Sequence, residues 1–499
     1  MTHGSLDPRT PVIVGAGQIV QRPGDGDLDP IGLAVEAVRR AGDDSGTGDG
    51  LLRRADSMRH VATTCWPYRD EAALIAAALG IVPRETVRTT LFGGDGPQRL
   101  VGDTARSIAN GQLEVAVVSG AEAVASVLAL QRAGTRPTWA EQSGDVEPAH
   151  VLGTDRAPTS EAEMAVGLMA PIYNYALLET AVRARSGADA HEHMQQLGAL
   201  WSRFSEVAAT NPYAWLPQGR TAAELIEPSS ANRPVAAPYL KLLTANIQID
   251  QASALILCSA HAAEAAGVPR DRWVFVRSTA YAHEEWFMSE RGELAAAPAI
   301  RAAGKAALGH AGVGIDDVAH IDLYSCFPSA VQIAARELDV PLDDPARPLT
   351  VTGGLTFAGG PGNNYAGHSI ATLVQRLRAE GAGFGLATAV GWYLTKNAVG
   401  VYSAQPPAQP FRDIDAGEPI ERPAPRQAGS DYSGTATLEA YTVPYARDGT
   451  PEAAIVSAIA PDGTRALVRS GDEDLIAALL EADPLGSEVT VHGPGHLTI

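Results

Sequence analysis

The chain is 499 residues long, 45% apolar and 19% charged, enough for two to four domains and a large core. Its 38 Lys and Arg against 58 Asp and Glu give a formal net charge of −20, a surface that repels phosphate backbones and argues against nucleic acid as a partner. No apolar run reaches the roughly eighteen residues that a membrane span needs, the first residues lack the basic start and apolar core of a signal peptide, and Cys65, Cys258 and Cys326 are too scattered for a disulfide scaffold or a zinc site. The expectation is a cytoplasmic protein without a metal.

In chain order, residues 11–17 read as a short buried strand and 31–41 as a helix. A strand at 60–64, a helix at 70–79, a strand at 87–91 and the turn Phe92-Gly93-Gly94-Asp95-Gly96-Pro97 follow, then a helix at 98–110 and a strand at 113–119. This alternation predicts a parallel sheet covered on both faces. Between residues 122 and 238 the rhythm breaks into loops and two long helical patterns, 161–186 and 190–210, as in an inserted lid or loop domain. Strands at 240–248, 254–259 and 273–281 and a helix at 298–311 restore it.

Residues 318–370 carry the densest signal. An apolar run (Val318, Ile321, Leu323) passes into a polar tip at Tyr324, Ser325 and Cys326, then a helix with Val331, Ile333, Ala334 and Leu338, then a glycine-dense loop from residue 353 to 367. That order places side chains where strands end and helices begin, and its glycines let backbone approach a ligand; a purely structural crossover reads the same way. Strands at 385–390 and 398–403 close a second half that resembles the first. Six prolines within 404–434 mark a linker, and strands at 435–443, 453–460, 465–469 and 488–492 with a helix at 473–482 form a small β-rich module of OB-like size. The domain reading is therefore 1–121 and 239–272 for the first half, 122–238 for the insertion, 273–403 for the second half, 404–434 for the linker and 435–499 for the module.

The runs TPVIVGAGQ (10–18), ARSIANGQLEVAVVSGAEA (105–123) and YLKLLTANIQIDQASALILCSAHAAEAAG (239–267), with the tetrad Tyr324-Ser325-Cys326-Phe327 and GGLTFAGGP (353–361), resemble the thiolase superfamily over roughly residues 8–403. The likeness is to its sterol-carrier-protein-thiolase and thiolase-like branch, and the C-terminal module resembles the additional domain of type 1 thiolase-like proteins. It is also similar to the OB domains that accompany thiolase-like aldolases as separate subunits. The resemblance implies an α/β fold with a duplicated α-β-α-β-α core, an inserted helical loop domain and a small C-terminal β-rich, OB-like domain. It also implies a coenzyme A thioester as ligand or substrate, with no other cofactor.

The family's catalytic set does not carry over. Aligned without gaps, the acylated cysteine falls on Gly94, the histidine of the GHP motif on Gly360, the second cysteine on Ala389, and the histidine of the HDCF tetrad on Tyr324. Ping-pong acyl transfer needs an activated nucleophile with a base in reach, so ordinary thiolysis is not expected. Tyr324 then stands as a hydrogen-bond donor or proton acceptor, or as a strand-capping tyrosine. Tyr365 and His368 lie in the glycine loop; a gapped alignment puts Gly367-His368-Ser369 on GHP, whereas otherwise His368 is a helix-terminal histidine. Cys326 reads as a supporting site residue or a core thiol. The helix start after Gly94 offers N–H groups to an oxyanion, although Asp95 at its mouth opposes an anion. Asn363 and Asn364 read as turn formers or as ligands.

With its catalytic cysteines absent, the resemblance implies an acyl-CoA-binding enzyme acting on a C–C bond, by Claisen or retro-aldol chemistry, without an acyl-enzyme. The alternatives are a non-catalytic CoA or acyl-CoA binder and a nominal acetyl-CoA acetyltransferase. The phosphates of CoA need cations, for which the insertion supplies Arg132, Arg136, Arg203 and Arg220, placing CoA between the insertion and the 353–367 loop. Thiolase-like proteins dimerise near the elbow, here residues 87–100, where Arg84, Glu85, Arg88, Asp95 and Arg99 crowd the stretch. With the fused module packing on the core in place of a second subunit, a monomer is expected in preference to a dimer.

Overall fold

The computed structural model describes residues 6–417 and 419–499. The first half contributes β1 (Pro11–Val20), α1 (Pro30–Asp44), β2 (Ser57–Val61), α2 (Glu71–Leu79), β3 (Glu85–Thr89), α3 (Gly96–Ala109), β4 (Val115–Ala123) and the short β5 (His150–Leu152). After α4 (Pro171–Ser186), α5 (Ala190–Thr210) and the small hairpin of β6 (Pro234–Ala236) and β7 (Tyr239–Leu240), the strand β8 (Asp250–Ser259) returns to the first sheet. The second half contains β9 (Val274–His283), α6 (Pro298–Ala311), β10 (Val318–Asp322), α7 (Pro328–Glu337), α8 (Tyr365–Glu380), β11 (Phe384–Gly391) and β12 (Lys396–Ser403). Helix starts follow sequence chemistry: Asp29 accepts from Gly32 N ahead of Pro30, and prolines open α4, α6 and α7.

The strand order is β10-β11-β12-β9-β1-β8-β4-β2-β3-β5, with β13 (Asp413–Asp415) laid on β9. Only two residue pairs, Val12 with Phe275 and Ile13 with Val274, join β1 to β9, so the path is two sheets meeting at a seam. One buried cluster unites Leu100, Val101 and Ala105 of α3 with Ile370, Leu373 and Val374 of α8, and touches strands of both sheets. These helices form the middle layer, with α1 and α2 outside the first sheet and α6 and α7 outside the second, giving five layers in the order α-β-α-β-α.

Three expectations change. The sheet is mixed: β2, β3, β4 and β5 run parallel, but β8 is antiparallel to both β1 and β4. A strand buried on both faces reads as a continuous apolar run whichever way its neighbours point, so its direction is invisible in the pattern. The helical pattern of 161–186 is broken into Glu161–Ala165 and α4, because Pro171 starts a new helix. The strand expected at 240–248 stops at Leu240, and β8 begins ten residues later. Among the described residues no helix is long and apolar enough to cross a membrane.

The C-terminal domain is a six-strand sheet of β14 (Ala428–Gly429), β15 (Ser433–Thr442), β16 (Ala454–Ile459), β17 (Arg465–Ser470), β18 (Glu488–His492) and β19 (Leu497–Thr498), with α9 (Glu473–Glu481). It docks on α4 and the second half. Thr180 donates to Tyr441 O at 2.9 Å, Arg183 forks onto Asp483, and the fully buried Arg465 pairs with Glu439 at 2.7 Å while donating to Ser289 O and Arg291 O.

The edge beside the elbow is covered by something else. β5 pairs in parallel with β3, Val87 opposite His150 and Thr89 opposite Leu152, so the insertion itself caps the strand. The elbow's charges are matched internally: Arg88 with Glu71, Glu85 with Arg59, Asp95 with Lys396, and Arg99 over the Tyr281 ring at 3.9 Å. The edge is then β5, only three residues long, and so short an edge strand offers little ladder for a second subunit to extend. Light scattering at micromolar concentration should therefore give one species of 52.0 kDa, the mass of a single chain; twice that mass would refute it.

Candidate functional site

The elbow between β3 and α3, the tip after β10 and the end of β11 converge. At Gly94 an added Cβ would lie 2.2 Å from Tyr324 Oη and 2.5 Å from Val390 O. No side chain fits there, so the position expected for a nucleophile is filled by the phenol itself. Tyr324 is 7% exposed, and its hydroxyl makes no hydrogen bond among the described residues. Burial, then the neighbouring Cys326 and Asp95, push its pKa far above the ordinary phenol value, so it is a protonated donor rather than a base. Its backbone N–H is fixed by Thr388 Oγ1 at 2.8 Å, and its ring meets Tyr365 edge to face, 5.5 Å between centroids.

Tyr365 turns its hydroxyl away from the elbow, to Thr352 Oγ1 at 2.7 Å and Asp322 Oδ2 at 3.3 Å. It positions Tyr324. Asp322, wholly buried, has its pKa raised to about 6 by desolvation against hydrogen bonds from Val351 N, Thr350 and Tyr365. His368 lies on α8 over β1, its Nδ1 2.9 Å from Gln18 Oε1, and burial lowers its pKa to about 3. A ring so weakly basic is a poor general base near neutrality. Cys326 is buried against the Tyr175 hydroxyl with its pKa pushed up to about 12, so it stays a thiol. Ala389 sits in a small apolar cluster with Ala366 and Ala398.

The glycine loop is locked rather than open. Asn363 accepts from Gly93 N at 2.9 Å and donates to Leu91 O and Ala62 O, while Asn364 donates to Gly120 O and Ser253. Both amides hold the loop to the first sheet. Gly353 and Gly354 have φ of +105° and +77° and lie against Ala208 and Phe204 of α5, which is why neither carries a side chain. At Gly360, whose N–H donates to Asn246 O, a Cβ would sit 3.3 Å from that oxygen, a little tighter than an ordinary contact, with the next atom 3.6 Å away. The cleft expected between the insertion and this loop is closed by Trp215 N on Ala358 O and Leu216 N on Phe357 O. The four arginines do not converge: Arg132 and Arg136 flank the end of the Val124–Arg132 helix, whereas Arg203 binds Leu342 O and Arg220 faces Glu224.

Two site residues escape sequence reasoning. Lys396, 2% exposed, lies 3.2 Å from the buried Asp95 and donates to Phe92 O at 3.1 Å, which puts a cation directly under the elbow. The contact is an ion pair without an aligned hydrogen bond at Asp95 Oδ1. Its one available signal is rarity: the chain has three lysines, and this one opens a fully buried strand, β12. Trp392, at φ +59°, heads a hairpin in which Leu394 is also left-handed; its indole N–H is buried without a partner and its ring lies 5.5 Å from the exposed Phe92. Tyr175 holds this hairpin by donating to Trp392 O and accepting from Leu394 N.

A family model described as the thiolase-like protein type 1 additional C-terminal domain matches residues 417–496. No curated protein matches the chain. Among solved structures, a monomeric SCP2-thiolase like protein type 1 from Mycobacterium smegmatis is 33% identical, with a TM-score of 0.82 over 99% of this chain and 100% of that one. The Ltp2-ChsH2(DUF35) aldolase is 20% identical (TM-score 0.60; 80% and 99% covered), and an acetyl-CoA acetyltransferase from Syntrophomonas wolfei is 15% identical (TM-score 0.58; 80% and 100% covered). The last two show the likeness of fold alone.

Two outcomes follow from the packing. Gly94→Ala should lose about 1–3 kcal/mol of stability by overpacking, and Tyr324→Phe in that background should recover part of it, since the Val390 carbonyl remains in the way. Urea unfolding of the four combinations reads this, and an unperturbed Gly94→Ala would sink it. For His368 the sign is that of a lowered folded pKa: the unfolded ring takes a proton below about 6.5 that the folded ring refuses down to about 3, so stability falls on acidification through that window. His368→Gln should remove this component, and the stability difference between wild type and variant should shrink by about 2–3 kcal/mol from pH 7 to pH 4.5. A difference that does not change with pH contradicts it.

Proposed function

The chain belongs to the SCP2-thiolase-like protein type 1 family, and from that premise we propose that it binds an acyl-CoA thioester and acts on a C–C bond of the acyl group without forming an acyl-enzyme. One observation carries the reading: the free, protonated phenol of Tyr324 occupies the place of the side chain that residue 94 lacks. A donor there can hydrogen-bond the thioester oxygen and hold the charge that gathers on it. In a retro-aldol cleavage the β-hydroxyl loses its proton, the Cα–Cβ bond breaks to leave a carbonyl compound and a thioester enolate, and the enolate carbon is then protonated. Tyr324 stabilises the enolate oxygen. In this reading Asp95, beside the elbow and ion-paired with Lys396, takes the first proton. An aldolase shares this fold, so the fold accommodates this reaction class, and the fused C-terminal domain supplies a second domain within one chain.

The second reading, a non-catalytic acyl-CoA binder, draws on the same contact: with Gly94 buried and Tyr324 nearly so, a thioester must displace the phenol to reach the elbow. Calorimetry with CoA thioesters and a turnover assay on a panel of β-hydroxyacyl-CoA substrates separate the two. Catalysis predicts that Tyr324→Phe reduces turnover by roughly 10²-fold or more while affinity stays within a few-fold. Binding without turnover, unchanged in the variant, establishes the binder; no binding of any CoA thioester removes both readings.

A further inference from the structure

Away from the elbow, a crevice of about 430 Å³ opens where the C-terminal domain meets α4, α5 and the β6–β7 hairpin. Its walls are mostly apolar and come from both domains: Met194, Ile226, Pro234, Pro238 and Leu240 on one side, Leu480 of α9 on the other. Size, composition and place at a domain junction are those of a small-molecule site.

The polar groups in its lining identify what it accepts. Thr180 is engaged with both backbone groups of Tyr441, donating to its carbonyl and accepting from its N–H. Arg183 is neutralised by Asp483, which also accepts from Tyr441 Oη. Tyr239 donates to Glu179 Oε2 at 2.6 Å. No free charge remains among these residues to meet an ionic ligand. His193 differs. It is 1% exposed, and its Nε2 lies 2.7 Å from Glu179 Oε1, a buried carboxylate that also accepts from Gln332 and Tyr239. The carboxylate takes the ring hydrogen on Nε2, the tautomer whose Nδ1 is an acceptor, and Nδ1 has no partner. A buried acceptor with no donor is a cost that a ligand removes. Tyr445, also lining the crevice, makes no side-chain hydrogen bond among the described residues.

We propose that this junction crevice is a binding site for a neutral, largely apolar small molecule bearing a hydroxyl group, whose hydrogen is donated to His193 Nδ1. Proline and tyrosine walls favour a flat ring system, and with Arg183 already paired to Asp483 no cation is left for a carboxylate or phosphate. The site stands apart from the elbow and does not depend on the reading given for it.

Fluorescence or calorimetric titration of the intact chain with 2-naphthol, its methyl ether and 2-naphthoate tests this. The expected result is saturable one-site binding of 2-naphthol, about tenfold tighter than the ether, which cannot donate, and tighter than the carboxylate. Leu480→Trp, at a surface position 39% exposed, fills the crevice from the C-terminal side and should weaken 2-naphthol by at least about tenfold without changing the melting temperature. His193→Phe should abolish the preference for the alcohol over the ether. Unchanged affinity in folded Leu480→Trp, equal or tighter binding of 2-naphthoate, or no saturable binding of any of the three would each overturn the proposal. If His193→Phe does not fold, the Leu480→Trp comparison and the ligand ranking still decide it.

Discussion

The site rests on a single steric exclusion: the hydroxyl of Tyr324 and any side chain at residue 94 claim the same volume. Three chain segments meet there, the elbow before α3, the tip of β10 and the carbonyl at Val390 near the end of β11. Thr388 fixes the Tyr324 backbone and Tyr365 braces its ring, so the phenol does not swing aside cheaply. The ordering of the glycine loop follows from the same closure, because Asn363 reaches from that loop to Gly93 and Leu91. The elbow keeps its shape without its nucleophile because its hydrogen bonds are to backbone and never needed one.

Electrostatics adds a second constraint. The chain is acidic overall, yet several of its cations are drawn inside: Lys396 beneath the elbow, Arg59 between Glu85 and Asp103, and Arg465 at the domain junction. A buried cation is tolerated only when carboxylates or carbonyls surround it, and each of these is so surrounded. In the same way Arg203 is tied to a backbone carbonyl and Arg220 faces a carboxylate. A phosphate-binding patch therefore cannot be read from a count of arginines in the insertion.

The fold was legible because periodicity and stop signals report burial and turns directly; α5 and α6 fall where their apolar spacing and flanking residues place them. Strand direction was not, since a doubly buried strand such as β8 carries the same pattern either way. In the site, Gly94 and Tyr324 were visible separately as departures from a motif, but their mutual exclusion is a distance across 230 residues of chain. His368 and Tyr365 had chemically suitable side chains, and only packing shows that one faces Gln18 and the other Asp322. Lys396 went unread because a lone lysine in a strand carries no spacing to interpret. His193 was hidden for a related reason: its carboxylate partner lies on the preceding helix, and the crevice it lines exists only once the C-terminal domain docks.

The two changes at the elbow form one unit, and that limits how this branch can be related to acylating enzymes. Restoring a cysteine at 94 alone would drive its Cβ into Tyr324, and removing the tyrosine alone would leave a void lined by Gly94 and the Val390 carbonyl, so the effects of the two substitutions are not additive. The bracing extends outward. The hairpin after β11 holds Trp392 and Leu394 in the left-handed region, a strain of order 1–3 kcal/mol each, sustained by the Tyr175 hydroxyl on one side and Arg291 on the other. Tyr175 stacks on Phe327, which stacks on Tyr239, at 4.7 and 5.5 Å, and it lies on α4, the helix that carries Thr180 and Arg183 against the C-terminal domain. Arg291, the other support, gives its carbonyl to Arg465 of that domain. Both props of the strained hairpin thus stand on residues that the C-terminal domain holds in place, which gives the fused domain a structural reason to be covalently part of the chain.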